Sequence, residues 1–127
     1  MGEVYLDLTI ANIEDRRHQK EISFLVDPGA SRAWISQQVA KELKIKPVGT
    51  VSLELANGIV KKFPYGACCF RLNREIVAGN VFIGSQDTRP SLGTHVLQDF
   101  RLVIDMEHHT VSRRRAMKAK CAELDGG

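Results

Sequence analysis

The stretch that decides the fold is Phe24-Leu25-Val26-Asp27-Pro28-Gly29-Ala30-Ser31. Three apolar residues end at one carboxylate, and the Pro-Gly pair then turns the chain, because Pro fixes φ and Gly tolerates positive φ. The same residues also suit an ordinary β-turn. The stretch therefore predicts a strand that presents Asp27 at its edge, and the rest of the chain decides whether this acid does chemistry.

The composition is typical of one globular domain. Of the 127 residues, 43% are hydrophobic and 26% are charged, and a chain of this length buries about two-thirds of the surface that it exposes when unfolded. No apolar run reaches the ~20 residues of a membrane span, and the first residues lack the features of a secretory signal. We therefore expect a cytoplasmic protein without a membrane partner.

The cysteines and the basic residues restrict the class further. The three cysteines, Cys68, Cys69 and Cys121, are odd in number and lack zinc-ligand spacing, which indicates free thiols. The net charge of +3 is concentrated near the C-terminus, in Arg113, Arg114, Arg115, Lys118 and Lys120. No aromatic residues interleave with this run, which argues against nucleic-acid binding. We predict a domain over residues 1–112 and a basic, flexible tail over residues 113–127.

Short alternating segments predict a mainly β domain. The predicted strands are residues 4–10, 21–26, 51–55, 59–63, 67–72, 75–83, 101–105 and 110–112. Asn57-Gly58 is a strong hairpin signal, whereas Pro64-Tyr65-Gly66 predicts a break. A helix is predicted to begin after the N-cap Ser36 and to end before Pro47, and a second, shorter one lies within residues 94–100. So many local turns favour a compact, barrel-like architecture.

Three separated motifs follow one another along the chain. They are the stretch from Phe24 to Ser31 with Trp34-Ile35-Ser36 behind it, then Ala56-Asn57-Gly58, and then Leu92-Gly93 followed by Val96-Leu97 and residues 100–105. In this order they resemble the retropepsin-type aspartic proteases, and the resemblance covers residues 3–112. It implies a small closed β-barrel-like acid-protease fold with a flap hairpin.

The resemblance also implies a role for individual residues. Its implied site comprises the catalytic acid Asp27, the active-site loop Pro28, Gly29 and Ala30, the substrate-binding flap Ala56, Asn57 and Gly58, and the second motif Leu92 and Gly93, which supports the active site. It implies no cofactor and no metal. The histidines at 95, 108 and 109 also lack metal-ligand spacing.

Hydrolysis of an amide by carboxylates needs two of them, one acting as base on a water and one kept protonated as acid. The chain has one Asp-x-Gly in an apolar strand context. An active enzyme would therefore be a homodimer, with Asp27 of each subunit at a two-fold axis. The expected function is an aspartic endopeptidase that acts on peptide or protein substrates.

Pro28 departs from the family pattern. The family has Thr or Ser there, and its hydroxyl and backbone N–H form hydrogen bonds across the dimer axis, whereas Pro offers neither donor. Ser91, where the family usually has an apolar residue, is a milder departure. Two interpretations stay open: an active endopeptidase, or a catalytically impaired pseudoprotease or peptide-binding dimerisation module of the same fold.

Overall fold

Nine strands and two short helices make up the part of the chain that the computed structural model describes, residues 3–113. The strands are β1 (Tyr5–Asn12), β2 (Gln19–Val26), β3 (Ala33–Ser36), β4 (Gly49–Glu54), β5 (Val60–Leu72), β6 (Glu75–Gly84), β7 (Ser91–Leu92), β8 (Leu102–Asp105) and β9 (Thr110–Arg113), and the helices are α1 (Gln37–Glu42) and α2 (Thr94–Asp99). Within residues 3–113, no helix is both long and apolar enough to cross a membrane. The prediction of a mainly β domain with two short helices is confirmed.

Seven strands form one sheet in the order β1-β2-β7-β3-β6-β5-β4. Because β1 also pairs with β5, from Thr9↔Arg71 to Asn12↔Cys68, six of these strands close into a ring. β4 lies outside the ring and pairs with β5. The sheet is therefore closed around a core and carries one protruding hairpin, β4–β5.

Apolar residues from distant segments fill the ring. Phe24, Phe70 and Phe100 are fully buried, and the rings of Phe24 and Phe70 meet edge-on with centroids 6.2 Å apart. Cys68 is also fully buried, and its thiol is free. This burial raises the pKa of the Cys68 thiol, so Cys68 acts as a small apolar residue of the core.

The first predicted helix is present but short. The hydroxyl of Ser36 accepts a hydrogen bond from the Val39 N–H at 3.2 Å, as expected of an N-cap. The helix ends at Glu42, and Ala40 and Leu43 face the core. Tertiary packing of this apolar face stabilises an element that is too short to be stable alone.

The predicted break at Pro64-Tyr65-Gly66 is wrong, because β5 runs through it without interruption. Pro64 lies opposite Thr50 of β4, and pairing with β6 begins only at Tyr65. A missing N–H is tolerated there, as at a sheet edge. A Cβ on Gly66 would lie 3.0 Å from the Lys46 carbonyl oxygen, so this glycine permits a close approach of two segments and does not mark a turn.

The segment around Trp34 was predicted to lead into a helix, and two strands near it were not predicted. β3 is parallel to β6, from Ala33↔Val81 onward. The two-residue β7 is parallel to β2 and antiparallel to β3. β3 and β7 are short and pair with strands that are distant in sequence, so no turn signal beside them predicts them.

The β8–β9 hairpin is anchored to the closed sheet through Glu75. The two carboxylate oxygens of Glu75 lie 2.6 Å from Arg101 Nη2 and 2.5 Å from Arg113 Nη2. The Nε–H of Arg113 also donates to the Phe100 carbonyl at 3.2 Å. Arg113 therefore belongs to β9, although the sequence placed it in the tail. The rest of the predicted tail, residues 114–127, lies outside the described residues.

We expect Glu75→Gln to lower the melting temperature at neutral pH, because both arginines lose their carboxylate partner. The hydrogen bond from Arg101 and, after it, that from Arg113 lower the pKa of Glu75. This stabilisation is present above the ordinary pKa of glutamate and is lost as the pH falls through the lowered pKa in the folded protein. The melting temperatures of Glu75→Gln and of the unmodified chain should therefore become equal at acidic pH. Glu107→Gln, at an exposed position between β8 and β9, is the control, and a difference in melting temperature that stays constant with pH would contradict the assignment.

Candidate active site

β2 ends at Val26, and the next four residues form the turn that carries Asp27. The Ala30 N–H donates to the Asp27 carbonyl at 3.1 Å, with Pro28 and Gly29 at the two central positions. The Gly29 N–H donates to Asp27 Oδ1 at 3.0 Å. Within the turn only Oδ1 accepts a hydrogen bond, so the turn orients an exposed carboxylate and leaves its Oδ2 for other partners.

Backbone hydrogen bonds hold this turn against the segment that follows β7. The Asp27 N–H donates to the Leu92 carbonyl at 2.9 Å, and the Thr94 N–H donates to the Ala30 carbonyl at 2.9 Å. Leu92 is fully buried and lies opposite Val26 in the parallel pair of β2 and β7. The structure thus brings together the two predicted motifs that are most distant in sequence.

Gly93 allows the closest contact in this arrangement. A Cβ at this position would lie 2.5 Å from the carbonyl carbon of Ser31 and 2.6 Å from the backbone nitrogen of Arg32. Its φ of −100° is open to any residue, so the requirement for glycine is steric. The backbone of residues 30–32 rests directly on Gly93.

The predicted hairpin at Asn57-Gly58 is confirmed as the tip of β4–β5. The Leu55 N–H donates to the Ile59 carbonyl and the Gly58 N–H donates to the Leu55 carbonyl, both at 2.8 Å. Asn57 Oδ1 accepts the Ile59 N–H at 3.0 Å, and Gly58 takes the positive φ of 83° that such a turn requires. These bonds are internal to the hairpin, so they fix the shape of the tip at Ala56, Asn57 and Gly58.

Trp34 connects the hairpin to the elements around Asp27, a link that the sequence reasoning missed. Its ring meets Phe63 of β5 and Phe82 of β6 edge-on, each with centroids 5.0 Å apart. It also lies opposite Ser91 in the β3–β7 pair. The only signal in the sequence was that this is the single tryptophan of the chain.

Asp105, Glu107 and His108 lie close enough together to hold a metal ion, at the turn between β8 and β9. The turn itself explains this cluster. Asp105 Oδ1 accepts the N–H groups of Glu107 and His108 at 3.0 and 3.1 Å, and Asp105 Oδ2 lies 2.6 Å from His108 Nδ1. The hydrogen bond with His108 lowers the pKa of Asp105. We assign no metal to these residues.

An acid-bearing turn on a closed β-sheet, backed by a Leu-Gly motif, matches the family pattern that the sequence suggested. The family model described as aspartyl protease matches residues 9–82, which is more than half of the chain. The chain belongs to the aspartyl protease family. The predicted family is confirmed.

Solved structures share the fold over a larger part of the chain than the family model matches. The chain is similar to the EIAV protease complexed with the inhibitor HBY-793, at 14% identity and a TM-score of 0.57 over 77% of this chain and 88% of that one. It is similar to a retropepsin-like aspartic protease from Rickettsia conorii, at 22% identity and a TM-score of 0.58 over 82% and 77%.

A third solved structure covers still more of the chain. The retroviral protease-like domain of Ddi1 from Leishmania major is 17% identical, with a TM-score of 0.58 over 91% of both chains. No curated protein matches the sequence. The retropepsin-like fold is therefore confirmed.

Proposed function

We propose that this chain is an aspartic endopeptidase that acts as a homodimer, with Asp27 of each subunit activating one water molecule. The observation that carries the proposal is the Asp27 turn: an exposed carboxylate at the end of a strand with one buried face, oriented by Gly29 and backed by Gly93. The aspartyl protease family match supports the same class of reaction.

The proposed chemistry needs the second carboxylate of the partner subunit. Two close carboxylates share one proton, because they cannot both be ionised at low energetic cost. The ionised one takes a proton from water as the water oxygen adds to the peptide carbonyl carbon, and the protonated one donates to the carbonyl oxygen. Proton transfer to the leaving nitrogen then lets the C–N bond break. The apparent pKa values belong to the pair and not to one Asp27.

The proposed substrate is an extended peptide held between the two subunits. The β4–β5 hairpin lies outside the closed ring of strands, which suits an arm that covers a bound peptide. Ala56, Asn57 and Gly58 at its tip would contact the substrate as the flap. Leu92 and Gly93 would act only through the Asp27 turn that they support.

Pro28 favours a second candidate, an impaired pseudoprotease or peptide-binding dimerisation module. Within one subunit Pro28 is well accommodated, because the turn uses the N–H groups of Gly29 and Ala30 and none from residue 28. Pro also suits the second position of such a turn. Any loss of activity or of dimer stability caused by Pro28 would therefore come from missing hydrogen bonds across the dimer axis that the resemblance implies.

Pro28→Thr distinguishes the two candidates. We expect it to tighten the dimer and to raise kcat/KM for peptide cleavage by about tenfold or more, because it restores two donors per subunit. Cleavage is measured at about pH 5, where a shared proton is expected, and dimerisation by sedimentation. Pro47→Thr, at another exposed proline, is the control.

The outcomes separate cleanly. Cleavage by the unmodified chain supports the endopeptidase. Cleavage by Pro28→Thr but not by the unmodified chain supports the impaired pseudoprotease or peptide-binding module. If both are inactive and monomeric at micromolar concentration, the homodimer proposal is wrong.

A further inference from the structure

A cavity of about 390 Å³ lies where β5 separates from β6 to enter the hairpin. The two strands are paired as far as Tyr65↔Phe82. Beyond that pair, the cavity is lined by residues 61–64, by residues 83–85 and by residues of α1. None of the lining residues belongs to the proposed active site.

The floor of this cavity is apolar. Its apolar lining residues are Ala40, Ile45, Pro47, Phe63, Pro64 and Ile83, of which Ala40, Ile45 and Ile83 are buried. They come from three different elements and the connection after α1, so the floor is part of the packed domain. An aromatic ring or a branched alkyl group placed here would leave water and contact carbon atoms.

The rim of the same cavity is positively charged. Lys41, Lys61 and Lys62 line it, and no lining residue is acidic. Among residues 3–113 none of these three lysines forms an ion pair, and Lys61 Nζ lies 5.5 Å from the centre of the Phe63 ring. Glu42, the acidic residue of α1, forms an ion pair with Lys20 outside the cavity, at 2.9 Å.

We propose that this cavity binds a small organic acid, with its apolar body on the floor and its carboxylate at the basic rim that Lys41, Lys61 and Lys62 provide. The charge pattern selects the ligand class, because a neutral ligand would use only the floor and a cation would meet three like charges. The shared chemistry is one carboxylate beside an apolar group. A free aromatic acid and the C-terminal carboxylate of a peptide that ends in an aromatic residue both supply it.

Binding of a ligand in this cavity can be followed through Trp34. Phe63 is part of the floor, and the centroid of its ring lies 5.0 Å from that of Trp34. Trp34 is the single tryptophan of the chain, so its indole N–H gives one identifiable NMR signal. A ligand on Phe63 should shift this signal, and detection does not depend on peptidase activity.

The test uses 2-naphthoate and its neutral analogue 2-naphthamide, with calorimetry for affinity and the Trp34 indole signal for location. We expect naphthoate to bind and to shift the Trp34 signal, and naphthamide to bind at least about tenfold more weakly, because it lacks the charge that the lysines attract. Lys61→Gln with Lys62→Gln should weaken naphthoate binding by a similar factor and leave naphthamide unchanged. Lys46→Gln, an exposed lysine outside the cavity, is the control with unchanged affinity.

Equal affinity of the acid and the amide for the unmodified protein would overturn the proposal, and this comparison needs no variant to fold. Naphthoate binding that ignores the double substitution, or that leaves the Trp34 signal in place, would also overturn it. N-acetylphenylalanine separates the two sources of the carboxylate. If it binds more tightly than naphthoate the ligand is a peptide C-terminus, and if more weakly it is a free acid.

Discussion

Asp27→Asn should reduce peptide hydrolysis by at least about a thousandfold and leave the fold intact, because an amide cannot exchange the proton that the reaction requires. Asn retains an Oδ1 that can accept the Gly29 N–H, the bond that orients this side chain at 3.0 Å. Because Asp27 is exposed, no buried contact is lost. kcat/KM for a cleaved peptide measures the first effect, and the urea midpoint measures the second.

Asp7→Asn is the matched control for this prediction. Asp7 is an exposed residue of β1, opposite Ser23 of β2, so the substitution removes the same charge outside the Asp27 turn. We expect its activity to remain near that of the unmodified chain. Activity of Asp27→Asn within tenfold of the unmodified chain would contradict the assignment of Asp27.

Gly93→Ala should destabilise the domain by about 1–3 kcal/mol or more and abolish peptide cleavage with it. The added Cβ would lie 2.5 Å from the carbonyl carbon of Ser31 and 2.8 Å from the carbonyl oxygen of Ala30. Both are backbone atoms, so no side chain can rotate away and the Asp27 turn must shift. Because small domains are stable by only about 5–15 kcal/mol, this is a large fraction of the total.

Gly79→Ala provides the comparison for this steric argument. Gly79 lies in β6, and a Cβ there would come no closer than 3.6 Å to an atom of the Phe70 ring. Alanine in a strand is at least as favourable as glycine, so the urea midpoint should stay the same or rise. Equal midpoints for the two variants would show that the backbone of residues 30–32 does not depend on Gly93.

Local chemistry in the sequence predicted the elements that depend on neighbouring residues. The alternation of β1 and β2 indicated their buried faces, because side chains on a strand alternate between two sides. The Asn57-Gly58 turn and the Ser36 N-cap follow from backbone preferences of the residues themselves. The Asp27 turn belongs to the same class, because Pro28 and Gly29 favour a turn whatever surrounds them.

Structural elements that depend on partners distant in the chain either could not be predicted from the sequence or were predicted wrongly. β7 is a strand only because β2 and β3 lie on either side of it. Pro64-Tyr65-Gly66 looked like a break because its composition suits a turn, yet β4 pairs with Pro64 and Lys46 approaches Gly66. Arg113 belongs to β9 because its guanidinium forms an ion pair with Glu75, a residue distant in sequence.

The candidate site shows the same division. The stretch around Asp27 predicted an acid at a strand end, and the resemblance supplied its proposed catalytic role, the proposed supporting motif Leu92-Gly93 and the proposed flap at the hairpin tip. The contact of Gly93 with residues 30–32 and the link from Trp34 to Phe63 needed the three-dimensional arrangement. The cavity between β5 and β6 left no trace in the sequence, because its lysines and its apolar floor come from separate segments.

Subunit mixing tests most directly the proposal that each active site takes one Asp27 from each of two chains. Unmodified chain and Asp27→Asn are mixed at a fixed total concentration that keeps both dimeric, and are left to exchange subunits. If the site needs both carboxylates, activity follows the square of the unmodified fraction, falling to roughly one quarter at equal amounts. A decline in simple proportion, to about one half, would show that each chain acts through its own Asp27 alone and would contradict this proposal.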